Sequence, residues 1–471
     1  MKTKACGSRL TPCSGLNRAE GLVSRKDTKR ARCNWRNLMP LLAIAALPFA
    51  STVPAIAQSP DADHTAAQTE AFDASAAWDE FEQLLRGKYA YIDRDDIDVE
   101  AQLDRSRALA AEAADEVELR SIFHRTALTF MDPHLIVGPF ADTDYAIVMT
   151  AADLDAQFVA GRAVITDVRR GSPAFEAGIR PGDIIAEVDG AAPDLAARLP
   201  FGDVLPEPTV AQLDYGLMLA VNGKRAGSRH LKVISPDQQA RAVELRSTRD
   251  WANSLRGREP VELEFVGKDR DIAILRPLNS LGNNETITAF DGALEKAIKA
   301  GAKALILDLR DTPSGGNTEV GRSIIGHFVT EVSPYQMHRI PALEREFTVP
   351  RQFVEYVFPR GPHYAGPVAV LHGRWTGSMG EGVVIGMDAA APNAVTIGSD
   401  MGDLLGALWN FTLEKSHARV DLGGEAMFHV DGTPREDYVA DIPVTPADST
   451  PNGSDPAVAA ALDYFASLAK N

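Results

Sequence analysis

From Phe72 to Phe130 the apolar positions recur at helical spacing: Trp78, Phe81, Leu84 and Leu85, then Leu103 and Leu109, then Leu119, Ile122 and Phe123. That rhythm predicts a small helical bundle, with Asp115 and Glu116 opening its last helix. The run stops at Met131-Asp132-Pro133-His134, a polar turn before the strand Leu135-Ile136-Val137. From Gly161 to Gly190 the pattern changes to short strands, Ala163-Val164-Ile165 and Ile184 to Val188. Between them lie a Gly171-Ser172-Pro173 turn, a short helix with Gly178 at its end, and an Arg180-Pro181-Gly182-Asp183 turn. Residues 201–270 mix strands such as His230 to Ile234 and Val261 to Phe265 with loops, a β-rich bridge with no visible chemistry. After residue 271 strands and helices alternate. The expected order is strand 271–276, helix 290–300, strand 304–310, a Gly-rich turn, helix 318–328, strand 368–371, a Ser-containing turn and helix 381–387. Alternation of this kind gives a largely parallel sheet with helices on its faces. A last helix is expected over Ala457 to Leu468.

Two turns stand out in that alternation. Asp311-Thr312-Pro313-Ser314-Gly315-Gly316-Asn317 and Thr376-Gly377-Ser378-Met379-Gly380 each follow a buried strand and precede a helix. Such turns meet at one end of a sheet. Ser378 between a strand end and a helix start is a good position for a nucleophile, with free helix-terminal N–H groups to stabilise an oxyanion. The plainer reading is a capping box, Ser378 as N-cap and Glu381 three residues on. The lipase-type G-x-S-x-G signature is not met, because position 376 is Thr.

Composition narrows the class. The chain has 471 residues, 45% apolar and 24% charged, enough for two or three domains with real cores. The net charge is −17, split into +8 on residues 1–57 and −25 on the rest. So acidic a remainder argues against nucleic acid or an anionic membrane surface as partner. Residues 1–57 read as a signal peptide: a basic region to Arg36, an apolar run from Leu38 to Ala50, and Ala55-Ile56-Ala57 as cleavage pattern. Export to the periplasm or the extracellular space follows, with 58–72 as a flexible leader. Cys6, Cys13 and Cys33 all precede that cleavage point, which leaves no disulfide, no Cys-ligated metal and no Cys nucleophile. No later apolar stretch is long enough to span a bilayer. No His-Glu-x-x-His or other ligand spacing occurs, so no metal or organic cofactor is expected.

The strand, short helix, Gly178-Ile179-Arg180-Pro181-Gly182-Asp183, strand order resembles a PDZ domain, a module that binds extended peptides by strand addition. Tyr145 to Phe158, where such domains carry a Gly-rich carboxylate loop, contains no glycine. Several motifs together resemble the C-terminal processing (tail-specific) serine peptidases and their tricorn-core relatives. They are Leu305 to Arg310 with Pro313 to Gly316, Ser378-Met379-Gly380-Glu381, Asp132-Pro133-His134, and Val430 to Asp437 followed by Asp441 to Val444. The resemblance covers roughly Phe72 to Val444. It implies a multidomain α/β chain with an N-terminal helical segment (73–137), a PDZ-like domain (138–200) and the bridge (201–270). A ClpP/crotonase-like αβ serine peptidase core (271–450) and a C-terminal helix (451–471) complete it.

The resemblance makes Ser378 the nucleophile, acting on a polypeptide through an acyl-enzyme. It places the oxyanion hole at the backbone N–H of Met379 with that of Gly315 or Gly316. Tail-specific members use a lysine after the serine as base, but Ile397 to Leu408, where it would fall, holds none. The nearest, Lys415, lies in an expected strand. A histidine base, as in the tricorn-like relatives, suits neutral pH. His134 ranks first because a short polar turn can deliver its ring into a cleft, and His372 second. His429 and His417, the latter in an expected polar strand, rank lower. Glu436 is the candidate orienting acid. Asp308 and Arg310 are expected to support the Gly-rich turn. The competing reading is a catalytically lapsed peptide- or ligand-binding protein on the same scaffold, and a weaker one is a hydrolase of small esters or modified peptides. The oligomeric state is not legible.

Overall fold

The computed structural model describes residues 72–145, 149–255, 257–278, 280–312, 315–446 and 455–470. The expected signal sequence, the three cysteines, Pro313 and Ser314 lie outside them. Among the described residues no helix is long and apolar enough to cross a membrane.

The first element group is the expected bundle: α1 (Ala74–Lys88), α2 (Val99–Ala111) and α3 (Glu116–Leu128). Each opens on an aspartate, Asp73, Asp98 and Asp115, whose carboxylate accepts N–H bonds of the first turn. The stripe closes on Trp78, Phe81 and Phe123, with the last two rings stacked at 4.4 Å. The Asp132-Pro133-His134 turn then feeds β1 (Ile136–Gly138).

The second group comprises β2 (Leu154–Val159), β3 (Arg162–Val168), α4 (Pro173–Glu176), β4 (Ile184–Val188), α5 (Pro193–Ala196), α6 (Val210–Asn222), β5 (Arg229–Ile234), β6 (Ala240–Leu245) and α7 (Thr248–Ser254). Its sheet runs β2-β3-β4-β5-β6, every neighbour antiparallel. Ser172 caps α4, and Gly178 follows it at φ 80°, a conformation that favours glycine. Residues 201–270 differ from the bridge expected there. They contain α6 and α7, and β5 and β6 complete the sheet begun by β2 to β4. Strand pairing over long sequence separation decides this, and local pattern does not reveal it.

The third group holds β7 (Val261–Val266), β8 (Ile272–Pro277), α8 (Glu285–Lys299), β9 (Ala304–Asp308), α9 (Thr318–Ile325), β10 (Ser333–Arg339), α10 (Pro341–Phe347), β11 (Gln352–Val357), β12 (Val368–His372), α11 (Met379–Ala390), β13 (Ala394–Gly398), β14 (Ala407–Thr412), β15 (Arg419–Phe428), β16 (Ile442–Pro443) and α12 (Pro456–Leu468). The central sheet is β16-β13-β12-β9-β8-β7, with only β7 antiparallel. Helices α8, α9 and α11 pack on one face and α12 on the other. Strands β9 and β12 are buried along their whole length, as parallel strands covered on both faces must be. They are direct neighbours, with Leu371 opposite Asp308, so the two turns that follow them emerge side by side. A second sheet, β1-β15-β10-β11 with β14 on β15, joins the helical head to this core.

Helix α11 begins two residues earlier than the pattern suggests. Glycines 380, 382 and 386 weaken the helical signal, but Gly386 is where Tyr335 of β10 packs, 2.9 Å from where a Cβ would sit. Lys415 and His417 are in the turn between β14 and β15, not in a strand, with His417 at φ 53°. The Lys415 backbone N–H donates to Glu80 of α1 at 2.9 Å.

Candidate active site

Ser378 has φ 55° and ψ −117°. An N-cap residue ordinarily has extended dihedrals, so a simple cap does not account for this backbone. Non-glycine residues held at such angles carry about 1–3 kcal/mol of strain, and they cluster at functional sites. What holds it is visible. Its backbone N–H donates to Glu381 Oε2 at 2.7 Å, the reach-back half of a capping box. Arg435 Nη1 donates to its carbonyl at 3.4 Å.

The Gly315 turn presses on it directly. A Cβ added to Gly315 would lie 2.2 Å from Ser378 Cβ, 2.4 Å from Ser378 Oγ and 2.8 Å from the Met379 amide nitrogen. Glycine is therefore required there for the close approach, and the Gly-rich turn, the hydroxyl and the Met379 N–H share one small space. Ser280 Oγ donates to the Gly315 carbonyl at 2.9 Å and fixes that peptide plane. Gly316 faces elsewhere: its Cβ would fall 1.9 Å from the Gly282 nitrogen. Of the two glycines, Gly315 is the one against Ser378.

Behind the turn lies a buried charge cluster. Glu381 is 1% exposed and pairs with Arg435 at 3.3 Å. Burial pushes its carboxyl up to about 7, and Arg435 offsets part of this. Arg435 also donates to the carbonyls of Leu404 and Gly406. Residues 404–406 in turn receive the Asp132-Pro133-His134 turn. Asp132 accepts from Tyr89 Oη at 2.9 Å, the His134 N–H at 2.8 Å and the Leu405 N–H at 3.2 Å. Burial raises its carboxyl to about 7. His134 is 4% exposed, and its Nδ1 meets the Leu405 carbonyl at 3.2 Å. A carbonyl can only accept, so Nδ1 carries the hydrogen and Nε2 is left as the acceptor. Burial first, then the Arg435 charge, hold this imidazole down at about 4. It is neutral at pH 7.

The remaining candidates separate. His372 ends β12 buried beside Tyr438, ring centres 6.1 Å apart, and burial lowers it to about 4. Among the described residues no hydrogen bond joins its ring to the Ser378 turn. His429 pairs with Asp431 at 2.9 Å and lies 3.4 Å from Asp388. Glu436 sits in the short turn with Arg435, half-buried, its carboxyl raised by burial. Asp308 and Arg310 pair at 2.8 Å, and Arg310 also holds Asp455 at the start of α12. Sequence reasoning gave no role to Arg435 and Asp132, although both lie inside the quoted motifs. An ionisable residue wedged between Pro434 and Glu436, or between Met131 and Pro133, was the available signal. Arg374, four residues before Ser378, bonds Asp403 at 2.7 Å and approaches Asp155 of β2 at 3.7 Å, which ties the serine turn to the β2-β3-β4-β5-β6 sheet.

Residues 271–439 match the sequence model of peptidase family S41, and residues 164–194 match that of a PDZ domain. The chain carries an S41 peptidase core. No curated protein matches the chain. Among solved structures, it resembles mature CPAF complexed with lactacystin at TM-score 0.54 and 14% identity, over 79% of this chain and 94% of that one. It resembles the photosystem II D1 C-terminal processing protease at TM-score 0.50 and 14% identity, over 80% and 94%. These likenesses concern the fold. Within the S41 core, Ser378 and Gly315 both lie in the matched segment, whereas His134 comes from the helical head in front of it.

Proposed function

We propose that this chain is an exported serine-type peptidase that cleaves polypeptides through an acyl-enzyme on Ser378, with His134 as base. The observation that carries the reading is the strained Ser378, held at φ 55° against Gly315 with the Met379 N–H alongside. In this reading His134 Nε2 takes the Ser378 proton as Oγ attacks the scissile carbonyl. The Met379 N–H and the Gly315 turn stabilise the oxyanion. The imidazolium gives its proton to the leaving amine, and water then releases the acyl group by the same route. Glu436, beside Arg435, is the acid of this reading, while the His134 Nδ1–H is held by the Leu405 carbonyl. The absence of a lysine between Ile397 and Leu408 fits a histidine base.

The test is labelling of the purified protein with a fluorophosphonate probe beside Ser378→Ala, together with casein proteolysis. Labelling and proteolysis by the wild type alone support the reading. A folded protein with neither would sink it in favour of a lapsed binding protein.

A further inference from the structure

A cavity of about 280 Å³ opens behind the turn that bears His134. It lies between α3, β1, the end of α6 and α7, and neither Ser378 nor His134 lines it. At ~30 Å³ per water it has room for about nine waters, or a ligand of comparable size.

Its wall is apolar for the most part, with Leu128, Leu135, Ile136, Phe140 and Ala252 among the lining residues. His124 is 5% exposed, and its Nε2 has no hydrogen-bond partner. The carboxylate in the wall, Asp132, is occupied by Tyr89, His134 and Leu405.

The lining also includes three cations, Lys224, Arg225 and Arg249, on a chain whose net charge is −17. Arg225 lies over the Phe140 ring at 4.6 Å and Lys224 over the Tyr145 ring at 5.9 Å. The acid facing them is Asp142, exposed and 3.8 Å from Arg249. Asp144 is committed to Arg120 at 2.9 Å and to the Ala141 N–H. Burial first, then the nearby Arg249 charge, lowers Arg225 from its ordinary value. An apolar chamber with mutually repelling cations complements a ligand of the opposite kind.

We propose that this cavity binds a small carboxylate with an apolar body, its head held by Arg225 and Arg249 and its body between α3, β1 and α7. The carboxylate can belong to a free acid or to the last residue of a peptide. The site stands whether or not Ser378 is a nucleophile, because its test reads binding alone.

The experiment is isothermal titration of the full chain with octanoate, octylamine, and a short peptide ending in leucine as free acid or as amide. Octanoate or the peptide acid is expected to bind one to one, and which of them does so identifies the source. Octylamine and the amide are expected to bind at least tenfold more weakly. The double variant Arg225→Gln/Arg249→Gln changes side chains outside the core, and it should weaken the acid at least tenfold with unchanged thermal unfolding. Ala252→Trp should fill the chamber and abolish binding. No binding by either acid, equal binding by octylamine, or undiminished binding to the double variant would overturn the proposal.

Discussion

Replacing Gly315 by alanine adds one carbon at the point where the two turns meet. That carbon would sit 2.2 Å from Ser378 Cβ and 2.4 Å from its Oγ. Carbon atoms rest at about 3.5 Å or more, so one of the turns must retreat by about 1.3 Å. A misplacement of about 1 Å at a reacting centre costs on the order of 100-fold in rate, equivalent to about 2.7 kcal/mol. The Met379 nitrogen, 2.8 Å from the added carbon, is displaced at the same time. Loss of an oxyanion donor is worth a further 10²–10³ or so in kcat. Overpacking of this kind costs about 1–3 kcal/mol of stability, so the variant should fold with a lowered Tm. The assay is kcat and KM on a fluorogenic peptide beside thermal unfolding. The expected result is kcat down at least 100-fold with KM little changed. Gly316→Ala is the contrast: its carbon meets the backbone of Leu281 and Gly282 at about 2 Å. Neither can yield, so folding should suffer more than in Gly315→Ala. A Gly315→Ala enzyme with wild-type kcat/KM would refute both the geometry and the role given to Ser378.

Ser378→Gly should abolish activity while raising stability by about 1 kcal/mol, since glycine adopts φ 55° without strain; a lowered Tm would contradict the strain argument. If His134 is the base, kcat/KM should fall on acidification only as pH drops through about 4, because burial holds the ring neutral down to there; an acid limb near 6.5 would exclude it. Glu436→Gln should lower kcat about tenfold and leave KM unchanged, while His372→Ala leaves both near wild type; the reverse ranking would move the base to His372. Glu381 is raised to about 7 in the fold. Its folded form therefore retains a proton that the unfolded chain has already lost, and stability from this group declines as pH rises from about 4.5 to 7. Accordingly Glu381→Gln should compare more favourably with wild type at pH 8 than at pH 5, read by thermal unfolding at both.

The sequence by itself determined the local elements. The helical stripes of the head, the strands around the Gly178–Asp183 turn and the alternation after residue 271 all formed, because burial of a periodic apolar face is a local property of the chain. It also singled out the two turns, each a Gly-rich or Ser-containing link between a buried strand and a helix. The PDZ and S41 resemblances drawn from those motifs hold over residues 164–194 and 271–439. Partnerships between distant segments were decided only by the tertiary structure. Strands β5 and β6 belong with β2 to β4, although residues 201–270 looked like a bridge. Gly315 rather than Gly316 meets Ser378 because β9 and β12 are neighbours in register and Ser280 pins the Gly315 carbonyl. Asp132 and Arg435, 303 positions apart by number, meet through Leu404 to Gly406. The raised carboxyl of Asp132, and the neutrality of His134, follow from burial that no short window of sequence contains. Periodicity records which side of an element is dry, whereas a site depends on which dry sides face each other.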